Sequence, residues 1–237
     1  MDAAQWIRNP PDDREAPVDI TDVILRQHDE QRRMFAVLEE WPRDDHEGLA
    51  AVWKRLEILL ETHAEAEELY FYPELLRIGT GGADAESVDE EVEDAVKDHN
   101  DIRRSVRKVG RCRTGSDAWW TAVVDANVHN SDHMGEEERQ DLADFRQRAS
   151  LELRHEIAVQ FLRYEAVRWA EGITPKDKDP ERYVAARKTT KASATAKKTS
   201  TASATAKKAA NQARKAAKTA PARAARSKKA SAGASEE

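Results

Sequence analysis

This sequence predicts an all-α fold: an up-down four-helix bundle with an additional C-terminal helical segment and a disordered basic tail. Three observations carry that reading. Four long stretches place apolar residues at steps of three and four, the spacing of one helix face. No stretch carries the alternation of a half-buried strand or the turn residues of a hairpin. Beyond Pro175 the composition changes to Ala, Lys, Ser and Thr, from which no core can be built.

Residues 1–17 hold Pro10, Pro11 and Pro17 among charges and read as an irregular lead-in; the bundle domain is expected over 18–172 and the tail over 173–237. The first helix follows Ile20, Ile24, His28, Gln31, Phe35 and Leu38, with Thr21 or Asp22 as its cap and Trp41-Pro42 as its stop. A second follows Leu49, Val52, Leu56, Leu59, His63, Glu67 and Tyr70, and ends near Gly79–Gly82. A third follows Val88, Val92, Val96, His99, Ile102, Val106 and Val109, and stops at Gly110. The fourth starts after Gly115-Ser116-Asp117 and passes Trp119, Val123 and Ala126 to His133 and Glu137, with Gly135 as a place where it can loosen. A fifth stretch, Leu142, Phe145, Ala149, Leu153, Ile157, Phe161 and Tyr164, either continues that helix or packs beside it. Long amphipathic segments joined by short polar loops describe an up-down bundle.

Composition narrows the class. Hydrophobic residues make up 39% and charged residues 35%, which suits a domain with a modest core. No apolar run approaches the roughly 20 residues that span a bilayer, so no membrane span is expected. The N-terminus lacks the basic start and apolar run of a secretory leader. The one cysteine, Cys112, fits a reducing compartment, and a cytoplasmic location is expected. The net charge of −6 hides a division. Residues 176–237 carry 17 Lys and Arg against 5 Asp and Glu, a net of +12, which leaves 22 basic and 40 acidic residues in 1–175, a net of −18.

Each of the four helix stripes contains a histidine at an inward position: His28, His63, His99 and His133. Two are followed four residues later by a glutamate, as His63-Ala-Glu-Ala-Glu67 and His133-Met-Gly-Glu-Glu137. Four residues along a helix is about 6 Å of rise on nearly the same face, so each pair can serve one metal centre. A single inward histidine is more often a core residue satisfied by its neighbours. Six polar groups brought into one small core are costly unless a cation organises them. Imidazole with carboxylate suits iron, manganese or zinc, and the lack of thiolate argues against copper(I) or an iron–sulfur cluster.

At these residues the sequence resembles the hemerythrin-like family, in its HHE cation-binding branch, whose order is H … HxxxE … H … HxxxE over a four-helix bundle. The matching text is Arg-Gln-His28-Asp-Glu, then His63-Ala-Glu-Ala-Glu67-Glu68-Leu-Tyr-Phe-Tyr-Pro73, Lys-Asp-His99-Asn and His133-Met-Gly-Glu-Glu137-Glu138. The likeness covers roughly residues 20–165 and leaves the tail unexplained. It implies a non-haem di-iron centre, oxo- or hydroxo-bridged, in which His28, His63, His99 and His133 hold the irons and Glu67 and Glu137 bridge them. It also implies reaction with, or sensing of, dioxygen, hydrogen peroxide or nitric oxide.

One departure matters. Oxygen-carrying members have a fifth histidine as HxxxH on the third helix, where Ala95 and Arg103 flank His99 here. An open coordination position favours redox turnover or sensing over oxygen carriage. His129, four residues before His133, is the candidate extra ligand, though its polar neighbours Asn130, Ser131 and Asp132 weigh toward a solvated or outer position. Tyr70, one turn beyond Glu67, is the candidate to hydrogen-bond a ligand, against the plainer reading of a packing residue with a wet hydroxyl.

From Arg187 to Ser235 there are 14 basic residues and no acidic ones, and ASATAKK occurs at 192–198 and again at 202–208. Lys197, Lys198, Lys207, Lys208, Lys215, Lys218, Lys228 and Lys229 in this Ala/Ser/Thr background resemble the C-terminal tails of linker histones. Such cations bind phosphates without sequence preference by releasing condensed counterions. A solubilising tail that folds onto the acidic bundle is the alternative. Three functions therefore stay open: a di-iron redox or sensing protein, with peroxide consumption as its candidate enzymatic activity; a cation-binding module without turnover; and a nucleoid-associated protein with a structural bundle.

Overall fold

The computed structural model describes residues 17–82 and 87–188. The lead-in before Pro17 and the tail from 189, with every tail lysine named above, lie outside the described residues. Among the described residues every regular element is helical. Helices α1 (Ile20–Glu40), α2 (His46–Ala66), α4 (Val88–Val109) and α5 (Asp117–Arg139) form the bundle. Helix α2 runs on through a π-helical turn (Glu67–Phe71) into α3 (Tyr72–Ile78), and α6 (Asp141–Arg148) and α7 (Leu151–Glu171) follow α5.

The helix starts follow from local chemistry. Asp19, not Thr21 or Asp22, caps α1 by accepting from the Thr21 amide at 3.0 Å. Asp45, Ser87, Ser116 and Ser150 do the same for α2, α4, α5 and α7. Each such cap is typically worth about 1 kcal/mol. Trp41, extended at ψ 144°, ends α1 before Pro42 as expected. Helix α5 runs through Gly135 to Arg139. The fifth stretch does not continue it: Ala149 is extended (ψ 134°) and Ser150 caps a new helix. Helix α7 then packs against α1 and α2.

The core is two apolar halves with a polar layer between them. One half gathers Ile20, Ile24, Phe71, Val96, Phe145 and Phe161. The other gathers Phe35, Leu38, Leu56, Val106, Trp119 and Val123. Helices α1, α2 and α4 contribute to both halves and α5 to the second, and most of their buried polar residues fall between the halves. In α1 these are His28 and Gln31, in α2 Glu61, Thr62 and His63, in α4 His99 and Arg103, in α5 Asn130, His133 and Glu137. Each large apolar side chain contributes about 1.5–3 kcal/mol on burial, and the two halves clamp the polar layer into register.

Residues 173–188, which composition groups with the tail, lie on the bundle. Gly172, at φ +87°, turns the chain back after α7. The Arg107 guanidinium donates to both Asp177 carboxylate oxygens at 3.0 and 2.8 Å. Asn100 exchanges hydrogen bonds with the Lys178 backbone at 2.7 and 3.0 Å. Tyr183 and Val184, in a helical stretch over 180–188, are buried in the first apolar half.

Candidate metal centre

The six residues expected from the two HxxxE pairs and the two lone histidines meet in the polar layer, none more than 3% exposed. They form two groups that share one carboxylate. His28, His63, Glu67 and Glu137 make one; Glu67, His99 and His133 make the other; within each, one ligating atom per residue lies within 4.8 Å of every other. Glu67 spans the two, with Oε1 2.9 Å from His63 Nε2 and Oε2 3.3 Å from His99 Nε2. Glu137 Oε2 stands 3.2 Å from His28 Nε2 and 3.9 Å from His133 Nε2. The Nε2 atoms face each other in pairs, His28 with His63 at 3.1 Å and His99 with His133 at 3.0 Å.

The outer ring nitrogens say why Nε2 is turned inward. His28 Nδ1 lies 2.9 Å from Glu138 Oε1, which also accepts from Arg32 at 2.7 Å. His63 Nδ1 lies 2.6 Å from Gln27 Oε1, and Gln27 donates to Glu165 of α7 at 2.7 Å. His99 Nδ1 lies 2.9 Å from Glu68 Oε1, a carboxylate also held by Arg103 and Lys178. Acceptors at Nδ1 keep a proton there and leave the Nε2 lone pair for a cation. His133 is different, with Nδ1 3.9 Å from Asp98 Oδ2, beyond hydrogen-bond length.

Both Glu67 oxygens and Glu137 Oε2 are buried without a hydrogen bond, although imidazole nitrogens stand beside them. Unsatisfied buried carboxylate oxygens are costly, and a cation among them removes that cost. With four inward Nε2 atoms, this donor set fits metal. Burial opposes charge on His28 and His99, but the carboxylates of Glu137 and Glu138, and of Glu67 and Glu68, raise each to about 9. Burial, reinforced by the charge of His99, holds His133 well below the usual imidazole range. Burial also opposes the charge on Glu67, yet His63 and His99 hold it well below the ordinary carboxylate range. Protons and metal thus compete for the same lone pairs.

The two further candidates, His129 and Tyr70, lie outside the six-residue cluster. His129 is exposed and joins neither group, while Asn130 takes the inward position and donates to Gln31 Oε1 at 2.9 Å. Tyr70 lies outside the polar layer, its ring 5.9 Å from that of Tyr164. Tyr72 instead is fully buried and donates to Glu137 Oε1 at 3.2 Å. The π turn explains the shift: the Tyr72 amide donates to the Glu67 carbonyl, so one turn after Glu67 is five residues rather than three or four. Pro73 follows, unable to donate to the carbonyl four residues back, which an α-helix through this point would require.

The position of a second α4 ligand is occupied by other work. Arg103, 1% exposed, reaches Glu68 at 2.9 Å and approaches Glu61 at 3.5 Å. Lys178 also contacts the Glu68 carboxylate, and Tyr183 and Arg187 donate to the Glu68 carbonyl. Gln27, Glu68, Arg103, Glu138 and Glu165 were not expected as site residues. The one sequence signal for any of them was the doubled glutamate in each motif, Glu67-Glu68 and Glu137-Glu138.

A family model described as the hemerythrin HHE cation binding domain matches residues 19–145. No curated protein and no solved structure gives a significant match.

Proposed function

The chain belongs to the hemerythrin HHE cation-binding family, and on that premise we propose that its bundle holds two iron ions and reacts with or senses dioxygen, hydrogen peroxide or nitric oxide. The observation that supports this reading best is Glu67, placed between two imidazole pairs with both carboxylate oxygens unpartnered. His28 and His63 would hold one ion, His99 and His133 the other, with Glu67 and Glu137 between them. Bound iron would supply one-electron chemistry toward the small ligand; manganese or zinc would fit the same donors without that reactivity in the zinc case. The chain's own residues hold three of the four imidazoles through acceptors at Nδ1 and keep all four buried.

Metal analysis and an optical spectrum of the full chain, purified without added metal and without a histidine tag, test the reading. The expected result is two irons per chain with near-ultraviolet charge-transfer bands, both lost in Glu67→Ala. A chain that stays iron-free after anaerobic reconstitution would refute it. Peroxide consumption by the loaded protein separates redox turnover from cation binding alone.

The tail belongs to the same proposal as a tether in the cytoplasm. Its 14 basic residues between Arg187 and Ser235, without an acidic one, suit non-specific nucleic acid and a place on the nucleoid. Arg187 and Lys188 contact the bundle, so truncation after 188 removes the tail without disturbing them. That truncation is expected to abolish salt-sensitive DNA retention; retention unchanged would refute the tether.

A further inference from the structure

An acidic cleft of about 250 Å³ runs between α4 and the α5–α6 junction and ends on two of the six centre residues, His133 and Glu137. Its α4 wall carries Glu91, Asp94 and Asp98, which recur at three and four residues and so share one face. Its other wall carries Glu136 and Asp141. No Lys or Arg lines it, although Lys97 reaches Asp94 from outside at 3.7 Å. Ala95, the small residue one turn before His99, leaves the passage open at its floor.

Acidic side chains in a cleft are common on an acidic protein and are not by themselves a site. Here two buried, unpartnered carboxylate oxygens line the same space. Glu137 Oε2 sits at the floor, in a residue 2% exposed, and Glu91 Oε2 along the wall, in a residue 7% exposed. Neither oxygen accepts a well-formed hydrogen bond, although His28 Nε2 stands 3.2 Å from Glu137 Oε2 and Asp141 lies against the Glu91 carboxyl, and a passing cation would satisfy both. On the opposite side of the centre α7 lies over the ligands, with Phe161 6.0 Å from the His63 ring.

We propose that this cleft is the loading route for divalent metal, with Asp94 and Glu136 drawing the cation in at the mouth and Glu91 passing it to Glu137 and His133. The route rests on the metal reading of the centre and adds to it the path, the order of filling and a charge preference. A cleft with walls of one sign raises the local concentration of opposite charge and repels its own sign. The His99/His133 position therefore fills first, and anionic ligands are disfavoured at the mouth. Asp94 and Glu136 have exposed side chains and belong to neither ligand group, so neutralising them alters the route and not the ligands at its end.

The test uses the full chain, stripped of metal, mixed rapidly with cobalt(II) and followed by the visible bands of the bound ion. The unsubstituted protein is expected to load faster at low salt than at high salt. An Asp94→Asn/Glu136→Gln double variant should load about tenfold more slowly at low salt, lose most of the salt dependence and reach the same final stoichiometry. A Glu152→Gln/Glu156→Gln variant, equal in charge change but on exposed α7 positions, should load at the original rate. Equal rates for the two double variants would overturn the route while leaving the metal reading intact. No cobalt uptake by the unsubstituted chain would overturn both.

Discussion

The two halves of the polar layer use the same ligand types and are supported differently. In the His28/His63 half both imidazoles are tied down from outside, His28 through Glu138 to Arg32 and His63 through Gln27 to Glu165. Helix α7 covers the imidazole side of this half, adding the edge of Phe161 against His63, while Glu137 of the same group lines the cleft. In the His99/His133 half only His99 is tied, through Glu68 to Arg103 and Lys178. His133 has no outer hydrogen bond and faces the acidic cleft. A sealed half suits a retained ion, and an open one suits exchange of ions and small ligands. The shared carboxylate, Glu67, makes one centre of them.

The largest expected effect tests that sharing. Glu67→Ala removes the only residue common to both groups, and metal content should fall to near zero. His133→Ala removes a residue of the open half alone, and one ion should remain. Metal analysis after gel filtration distinguishes these outcomes. Loss of both ions in His133→Ala would mean that the halves do not fill independently and that the contrast between them has no functional weight.

Next in size is the support behind His99. Arg103 is 1% exposed among Glu61 and Glu68, so Arg103→Met leaves two buried carboxylates short of a partner. Breaking a buried pair from one side typically costs about 3–5 kcal/mol. Arg32, the corresponding cation behind His28, is partly solvated, and Arg32→Met should cost no more than about 1 kcal/mol. Urea denaturation of the metal-free variants measures both. Equal losses would show that the two supports carry similar weight despite their burial.

The third effect concerns affinity. Gln27→Leu takes away the acceptor at His63 Nδ1 and should weaken metal binding about 10–100-fold in a chelator competition. Asp98→Asn, at 3.9 Å from His133 Nδ1, should change equilibrium affinity little. A large loss in Asp98→Asn would mean that the open half is held as firmly as the sealed one.

How much of this was legible in the sequence depends on the range of the interaction. His28, His63, His99 and His133 interrupt apolar stripes whose period is local, so the bundle and the meeting of these four could be read from spacing. Their outer partners come from other helices at no fixed offset. Glu165 stands 138 positions from Gln27 and Glu138 stands 110 from His28, and nothing in either neighbourhood marks the pairing. The packed segment over 173–188 was hidden by its charge, although Tyr183 and Val184 are an apolar pair in an otherwise charged and alanine-containing stretch. The cap of α1 was misplaced by two or three residues because Asp19, Thr21 and Asp22 are all competent caps by type.

The smallest predicted effect bears on the π turn, the feature that periodicity misses most directly. If the helix kept α-helical register through Glu67–Phe71, Tyr70 would lie nearest the centre; with the π turn it is Tyr72. Tyr72 touches a residue of each half, its ring 5.7 Å from that of His99 and its hydroxyl donating to Glu137 at 3.2 Å. Tyr72→Phe therefore leaves another Glu137 oxygen unpartnered and should cost the metal-free protein about 1–2 kcal/mol. Tyr70→Phe, at the rim beside Tyr164, should stay within about 0.5 kcal/mol. Thermal or urea unfolding of the two variants reads the difference. A cost at Tyr70 with none at Tyr72 would restore the α-helical register, move the Glu67 carboxylate relative to His99, and remove the geometric ground for treating Glu67 as the ligand common to both halves.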